Sequence, residues 1–448
     1  MKRFALYSLF FAILIYPYRL ALYSAGGLNL YHLVLPLFVG TVCFAVLRKK
    51  LLLARVHLHV GIALIALKLF LTVIAILKGY PIHLVPLSRD LGAVALFVCT
   101  ATVLDSAETH VRLWRCLGFM VLLSAGLVVI LYCTPASWIP REASQGFLLL
   151  LRAREMQQQL DLYDLTVEDY SQYINRWSIG NAEDFALNLA AVLPIFLYLV
   201  LENTSALVAR YKGRVLWAIS LVVLLAGVLL SISRAAVLIC AVMFVYLLLF
   251  GKSVSKARAL LSILFLILAI PIVSIDADFS DLLVSRFPTS QRAAADFIQE
   301  DSSARQRVEM QAADWQIFLG NFFFGIGSDN IPVENERRFG VRNTAEQVYV
   351  EVLAENGVVG AIGVFLCFWA LYRRFSRAAI ANPNERRFTI YKACLLCLLL
   401  IGLFAPIHMD MLTYILLGAI FSRVNLSLEV TPKSAAVTTL SSTIQAAC

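Results

Sequence analysis

Apolar runs about 20 residues long alternate with short polar segments along most of the 448-residue chain. A run of that length crosses the hydrocarbon core of a bilayer as an α-helix. The pattern therefore predicts an all-α integral membrane protein with about 12 transmembrane helices. The predicted spans lie near residues 4–22, 28–47, 57–78, 90–106, 113–133, 185–202, 215–232, 235–250, 258–275, 348–371, 391–408 and 411–422.

The overall composition agrees with the apolar runs. Hydrophobic residues make up 60% of the chain and charged residues 15%, whereas soluble domains carry about 25% charged residues. A soluble enzyme or a small disulfide-stapled domain is excluded. Most of the nine cysteines lie within apolar runs, where a thiol behaves as a small hydrophobic group. Cys394 and Cys397 have CxxC spacing but no accompanying Cys or His cluster, so no metal or redox site is predicted.

The net charge of +9 is explained by where the basic residues fall. They concentrate in alternate connections between the apolar runs, which the positive-inside rule places in the cytoplasm. With an even number of spans, both termini are then cytoplasmic, and no nucleic-acid partner is indicated. The basic groups are Lys2 with Arg3, 48–55, 112–115, 210–214, 252–258, 373–377 and 386–387.

Two connections on the outer side are too long to be simple turns. Ser303 to Gln306, in the larger one, has capping-box spacing and predicts a helix start. Its apolar residues at helical spacing should pack against the protein: Val308, Ala312, Trp315 and Leu319. Arg307, Gln311 and Asp314 fall on another face. A turn at Gly325–Gly327 and a helix start at Asn343 follow. The predicted organisation is helices 1–5 (1–133), an outer loop (134–184), helices 6–9 (185–275), the large outer loop (276–347), helices 10–12 (348–423) and a cytoplasmic tail (424–448).

Arginines are the leading candidates for a functional site. Arg234 lies between two apolar runs, where a charge is costly without an anionic partner. It either contacts lipid phosphate as an interfacial residue or binds a phosphorylated lipid substrate. The basic residues of the large loop are all arginines, whose planar guanidinium binds phosphate through two hydrogen bonds. Arg305 could equally form an ion pair with Glu300, Asp301 or Glu309.

Glu346 is the candidate general base, and it could instead cap the helix expected to begin at Asn343. The DxD spacing of Asp276 and Asp278 also occurs often by chance. His83 and His408 are interpreted as interfacial histidines. The chain has no P-loop, dinucleotide fingerprint, Ser-His-Asp arrangement or HExxH motif, so we expect no metal and no cofactor.

Four stretches in order resemble the bacterial O-antigen ligase/polymerase superfamily, multispanning transferases of lipid-linked glycans. Gly180–Ala186 resembles the family's Gly-x-x-Asn-x-Phe-Ala segment, and Ser231–Ala235 its Ser-x-Ser-Arg-Gly/Ala motif. Arg307 through Gly327 resembles its Arg-Leu-x-Leu-Trp to Gly-x-Gly segment. Tyr349–Gly360 resembles its Tyr-Leu-x-x-Leu-Ala-Glu-x-Gly-x-x-Gly motif. The likeness covers about residues 175–375.

The resemblance implies a C-type glycosyltransferase-like fold in the bacterial inner membrane with a periplasmic active site. The enzyme would move an undecaprenyl-pyrophosphate-linked glycan onto an acceptor glycan or lipid without a metal. It implies that Arg234 and Arg307 stabilise the pyrophosphate, with Glu346 as the candidate for activating the acceptor hydroxyl. The substrate-binding residues would be Arg305, Arg338, Arg342 and Tyr349. A chain-length regulator would be a further partner.

One departure from the family pattern favours a polymerase of O-antigen or exopolysaccharide. Many members, especially ligases, carry His-Asn shortly before the motif's Tyr, where this chain has Glu346-Gln347. An O-antigen ligase that attaches glycan to lipid A-core is the alternative within the same class, and a relative with a protein acceptor is another. A solute transporter or a noncatalytic scaffold is the alternative from a different class. A transporter would not explain an arginine-rich outer loop of about 70 residues.

Overall fold

The computed structural model describes residues 2–15, 30–133, 182–201, 211–230, 233–250, 302–340, 347–383, 385, 387–404 and 411–426. Within these ranges the secondary structure is helical, with no β-strand. The helices are α1 (Lys2–Ile15), α2 (Leu30–Leu47), α3 (Arg55–Leu77), α4 (Leu84–Val103), α5 (Ala107–Cys133), α6 (Ala182–Leu201), α7 (Tyr211–Leu230), α8 (Arg234–Phe250), α9 (Ser302–Gly320), α10 (Ile331–Phe339), α11 (Val348–Ala381), α12 (Arg387–Ile401), α13 (Met411–Ile420) and α14 (Arg423–Leu426).

Three of the described helices, α3, α4 and α11, are long and apolar enough to cross a membrane. Shorter apolar stretches lie in α2, α6, α7, α8 and α13. Large apolar side chains such as Phe70, Phe365 and Trp369 point outward from α3 and α11, as expected of surfaces that face lipid. The predicted α-helical membrane protein is therefore confirmed. The number of crossings stays a prediction, and the run 258–275 lies outside the described residues.

One large apolar core joins most of the helices. α4 packs against α2, α3 and α13, while α6 packs against α7, α8 and α12. Buried polar side chains connect the last helices to this bundle. The Nε2–H of His57 donates to the Phe421 carbonyl at 2.6 Å, and His110 hydrogen-bonds Tyr391 and Ser422. Neutral buried groups need such partners, so these contacts fix the C-terminal helices on α3 and α5.

A second, smaller apolar core lies where α9 and α10 pack against the first part of α11. It contains Ile317, Phe318, Ile326, Ile331 and Ala354. The part of the large loop that the structure describes, 302–340, is therefore folded onto α11, and the predicted turn at Gly325–Gly327 follows α9. That this layer lies on the outer side of the membrane stays a prediction.

One helix start differs from the predicted spans, and another agrees with them. α4 begins at Leu84 rather than near residue 90, because Pro86 suits the first turn of a helix. This earlier start places Arg89 and Asp90 inside the helix. α11 begins at Val348, after Gln347 in an extended conformation (φ −124°, ψ 118°). Asn343, where the sequence predicts a helix start, lies outside the described residues, so that start stays a prediction.

Candidate functional site

α11 is broken at Gly357, whose backbone (φ 61°, ψ −174°) is not helical. A break leaves carbonyls before it and N–H groups after it without partners inside the helix. Residues 321–330, which follow α9, supply both kinds of partner and so join the large loop to α11. The four bonds run from Ile326 N–H to Ala354 C=O (3.1 Å), Gly327 N–H to Glu355 C=O (2.8 Å), Val358 N–H to Phe322 C=O (2.8 Å) and Val359 N–H to Phe323 C=O (3.0 Å).

Two glycines allow the backbones to approach this closely. A Cβ on Gly357 would lie 2.4 Å from the backbone of Phe323, and one on Gly325 would lie 2.3 Å from the backbone of Glu355. Both glycines also have positive φ, which disfavours side chains. The Gly-x-Gly and Glu-x-Gly motifs are therefore the two halves of one contact, which we call the Gly357 junction (residues 321–330 and 354–359).

Buried carboxylates surround the junction. Glu355 is 3% exposed and accepts the Asp329 N–H at 2.6 Å. Glu351, one turn earlier, is also buried and lies within electrostatic range of Glu355, Asp314 and Asp329. We call these four residues the acidic cluster. The sequence alone did not reveal this hydrogen bond between Glu355 and the loop.

An ion pair between two spanning helices lies beside the acidic cluster. The Lys68 ammonium is 2.7 Å from the Asp90 carboxylate and 3.3 Å from Oδ1 of Asn356. Ser328 donates to the same Asp90 carboxylate at 3.1 Å. The sequence alone does not identify these partners of Lys68. The position of Lys68 within an apolar run did indicate that a partner exists, because an ionisable residue in such a run requires one.

α9 presents its polar face inward. Asp314 is fully buried and accepts a hydrogen bond from Asn335 at 2.7 Å, and Arg307 is half-buried. Gln311 donates to the Gln347 side chain at 2.5 Å. The face predicted to pack down is instead exposed: Val308, Ala312, Trp315 and Leu319. That prediction was wrong because it assumed that apolar residues of the loop must face the protein.

The contact between Gln311 and Gln347 relates two of the predicted catalytic residues. Gln347 follows Glu346 in the chain, and Gln311 lies one helical turn after Arg307. Glu346 and Arg342 themselves lie outside the described residues. Arg305 lies in the first turn of α9, but its side chain also lies outside them.

Arg338 forms an ion pair within α10. Its Nε is 2.5 Å from Glu334, and Arg337 binds the same carboxylate at 2.6 Å. Burial raises the pKa of Glu334, but the two arginine hydrogen bonds outweigh this and lower it overall. Two guanidinium groups share this carboxylate, and because α10 also contains Glu336, the helix as a whole has no net charge. Burial also lowers the pKa of Lys78, which donates to the Gly325 carbonyl at 3.0 Å.

Tyr349 joins the start of α11 to the end of α12. Its hydroxyl donates to the Leu399 carbonyl at 2.7 Å, and Val348 N–H donates to the Gly402 carbonyl at 3.2 Å. The Tyr349 ring is 40% exposed. The hydroxyl hydrogen is thus already used within the protein, and only its oxygen and ring can contact a substrate.

Arg234 is the first residue of α8. Ser233, just before it, is buried and accepts the Ala236 N–H at 3.3 Å, as an N-cap serine does. The cap explains why a serine precedes Arg234, because it fixes Arg234 at the first position of α8. The Arg234 side chain lies outside the described residues. α8 packs against α12, the helix whose Leu399 carbonyl binds Tyr349.

The described residues contain no group of three or more His, Cys, Asp or Glu side chains that could hold a metal ion. Asp276 and Asp278 fall outside the described residues. His83 hydrogen-bonds Asn330 at 3.2 Å, so it links α4 to the loop. The chemistry available here is that of arginines and carboxylates in a partly water-excluded layer.

Residues 219–365 match the family model described as O-antigen ligase. The match covers about a third of the chain and includes Arg234, Arg307, the acidic cluster and the whole Gly357 junction. It confirms the resemblance to the O-antigen ligase/polymerase superfamily that the four motifs predicted. No curated protein matches the chain. Lys68 and Asp90 lie outside the matched segment.

Proposed function

We propose, from this resemblance and the geometry of the loop, that the protein is an inner-membrane glycan polymerase. It would transfer an undecaprenyl-pyrophosphate-linked glycan onto the hydroxyl of an acceptor that is also lipid-linked, at the periplasmic face. The product would be a longer O-antigen or exopolysaccharide chain. The broader assignment, that the protein is a glycosyltransferase-like membrane enzyme, rests on the family match alone.

The observation that carries the proposal is the inward polar face of α9 beside the start of α11. Arg307 and Gln311 lie on that face, and Gln311 contacts Gln347, the neighbour of Glu346. This contact joins the helix that carries Arg307 to the residue after Glu346, which supports the proposal that the two side chains act on one substrate. The Gly357 junction, just beyond, holds both elements in register through four backbone hydrogen bonds.

The arginines would stabilise the leaving group. As the glycosidic bond breaks, negative charge develops on the pyrophosphate, and cations positioned there lower the barrier. Arg234 and Arg307 are the proposed catalytic cations, and they can act without a metal. Arg305, Arg338 and Arg342 would bind the donor more peripherally, and Tyr349 would present its ring to a sugar.

Glu346 would orient or deprotonate the attacking hydroxyl. Such a base must lie within hydrogen-bond reach of the proton that it removes. Its alternative role, as part of the cap of a helix that begins at Asn343, concerns residues that precede the start of α11 at Val348. Glu346 precedes α11 in the chain and is not part of its first turn. Its carboxylate is therefore proposed to serve the acceptor hydroxyl.

An O-antigen ligase is the second candidate, because the matched family model carries that description. The two functions differ in the acceptor, which is lipid A-core for the ligase. Glu346-Gln347 in place of His-Asn favours the polymerase. A chain-length regulator would be expected to associate with the polymerase only.

The test is gel profiling of surface polysaccharide from cells that lack the protein and are complemented with variants. Arg307→Ala, Arg234→Ala and Glu346→Gln should each abolish the ladder of repeat units, while a single repeat still reaches the surface acceptor. Removing one transition-state contact typically costs about 10²–10³ in rate. Membrane levels of each variant must equal the wild-type level.

Arg337→Ala is the matched control, because it removes the same charge from the same loop. Its side chain is 69% exposed, and Arg338 remains to hold Glu334. The control should keep the ladder. Complete loss of surface attachment, with long lipid-linked chains accumulating, would indicate the ligase. A normal ladder in Arg234→Ala and Arg307→Ala would contradict the transferase mechanism.

A further inference from the structure

The outward face of α9 and the residues just after it form a continuous apolar surface. Its members are between 44% and 63% exposed. Successive rings contact one another from Trp315 through Phe318 and Phe322 to Phe323, with centroids 5.1–5.3 Å apart. We call this the aromatic surface: Val308, Trp315, Leu319, Phe322 and Phe323.

The opposite face of the same helix is polar and inward. Asp314 is fully buried, whereas its neighbour Trp315 is 44% exposed. A helix bordering water places its apolar stripe toward the protein and its charges outward. α9 also buries the apolar Ile317 and Phe318 in the small core, and Glu309 and Gln316 border its outward face. An outward apolar stripe with polar residues at its margin, on a helix already packed against the protein on its other side, suits the membrane interface.

The aromatic surface is continuous with the surface of a spanning helix. Phe323 contacts Phe324, and Phe324 contacts Phe70 of α3 with centroids 6.1 Å apart. Phe70 is itself 48% exposed on a helix long enough to cross the membrane. The end of that helix bears Lys78, which hydrogen-bonds the Gly325 carbonyl. A lysine at the end of a span marks the headgroup level.

We propose that α9 lies in the membrane interface, with the aromatic surface inserted among the acyl chains of bilayer phospholipids. Bulk lipid is the expected contact of the aromatic surface, because this surface continues into the outward face of α3, a helix long and apolar enough to cross the bilayer. Aromatic rings are favoured at this depth, and an interfacial helix buries its apolar face about 5–10 Å into the headgroup–acyl boundary. This inference concerns the position of the helix and does not depend on the reaction.

The consequence is that the inward face of α9, which carries Arg307, is held at a fixed depth. Insertion of the aromatic surface leaves Arg307, Gln311 and Asp314 facing the protein at the level of lipid headgroups. Any ligand that meets this polar face must approach at that level. The bilayer, together with α11, thereby orients the helix.

Depth-dependent quenching of tryptophan fluorescence tests the proposal. The full-length protein is reduced to Trp315 as its sole tryptophan by Trp→Phe changes at the other five positions. It is reconstituted in phosphatidylcholine vesicles brominated either near the headgroup end or near the methyl end of the acyl chain. These vesicles contain no isoprenoid lipid. Trp315 should lose most of its emission, more with the shallow bromine than with the deep one.

Two matched single-tryptophan variants calibrate the result. Trp369, which is 45% exposed on the spanning part of α11, should also be quenched, whereas Trp114, 7% exposed, should not. If the reduced protein does not fold, the difference in emission between wild type and Trp315→Phe gives the same measurement. Trp315 emission that brominated lipid leaves unchanged, with Trp369 quenched, would overturn the proposal. Strong quenching by aqueous iodide would do so too, because the surface would then face water.

Discussion

At the scale of single residues, Gly357 and Gly325 determine how closely the large loop approaches α11. Each occupies a left-handed backbone conformation, and each lies against the other segment's backbone. A side chain at either position would meet rigid peptide groups, which cannot turn aside as a flexible side chain can. The two glycines therefore determine how closely residues 321–330 can approach α11.

Gly357→Ala should destabilise the protein by more than the cost of the backbone conformation alone. At φ 61° and ψ −174° a residue with a side chain is strained by about 1–3 kcal/mol, and its Cβ would also lie 2.4 Å from the Phe323 backbone. Gly340→Ala is the control, because Gly340 also has positive φ (73°) but no atom within 4 Å of the place that a Cβ would occupy. Thermal unfolding in detergent should show a larger loss for Gly357→Ala. Equal losses would mean that the contact with residues 321–330 contributes little.

At the scale of helices, apolar runs predicted where the chain is helical but not which face is buried. A helix lies close to each predicted span that the structure describes, since a run of apolar residues needs no partner to be recognised. The face of α9 was inverted, because the periodicity of Trp315 and Leu319 is the same whether they contact protein or lipid. The break at Gly357 was also missed. The motif Glu-Asn-Gly indicated a helix end, but only the loop's hydrogen bonds show how α11 continues past it.

The residues of the candidate site also fall into those that the sequence identified and those that it did not. Arg307 and Tyr349 were identified by motif, and both lie near the start of α11. Lys68 was missed because its partners, Asp90 and Asn356, come from other helices, one of them far away in the sequence. Such pairs can be identified only when the packing of the spanning helices is known, and a single sequence does not provide it.

The short helix α10 should lose stability at acidic pH through Glu334. The folded-state pKa of this carboxyl is lowered below its ordinary value of 4.5. Its ion pairs with Arg337 and Arg338 therefore stabilise the fold above that value, and the contribution is lost as pH falls through the folded pKa. Glu334→Gln should remove this part of the pH dependence. Unfolding measured at about pH 6 and about pH 3, on either side of this titration, should show a smaller difference for the variant, and identical differences would contradict the assignment.

At the scale of the whole molecule, the large loop is connected to both parts of the helical bundle. The loop packs on the first part of α11, which lies with it in the family-matched segment, and Ser328 connects it to Asp90 of the N-terminal helices. Lys68 lies nine residues before the end of α3, about 14 Å along the helix axis. An ion pair at this depth links the N-terminal helices to the loop, although these helices lie outside the matched segment.

Lys68→Met should destabilise the protein by up to about 3–5 kcal/mol, because among the described residues it leaves the partly buried Asp90 carboxylate with Arg89, 3.8 Å away, as its remaining ion-pair partner. The double variant Lys68→Met/Asp90→Asn should recover part of that loss. Unfolding free energies of the two single variants and the double variant form the test. Glu108→Gln is the control, since Glu108 forms an exposed pair with Arg112 worth about 0–1 kcal/mol. A loss for Lys68→Met no larger than that of the control would show that the pair does not link the halves.

The Gly357 junction also has a consequence for how the chain is assembled. Residues 321–330 precede α11 in the chain, so they emerge from the ribosome and reach their side of the membrane before that helix is complete. The free carbonyls and amides at the break can be satisfied only if the end of α11 near Gly357 emerges on the same side. A copy of α11 inserted upside down would leave these groups unbonded in a lipid environment, at several kcal/mol for each group. The junction thus favours the correct membrane topology during biosynthesis.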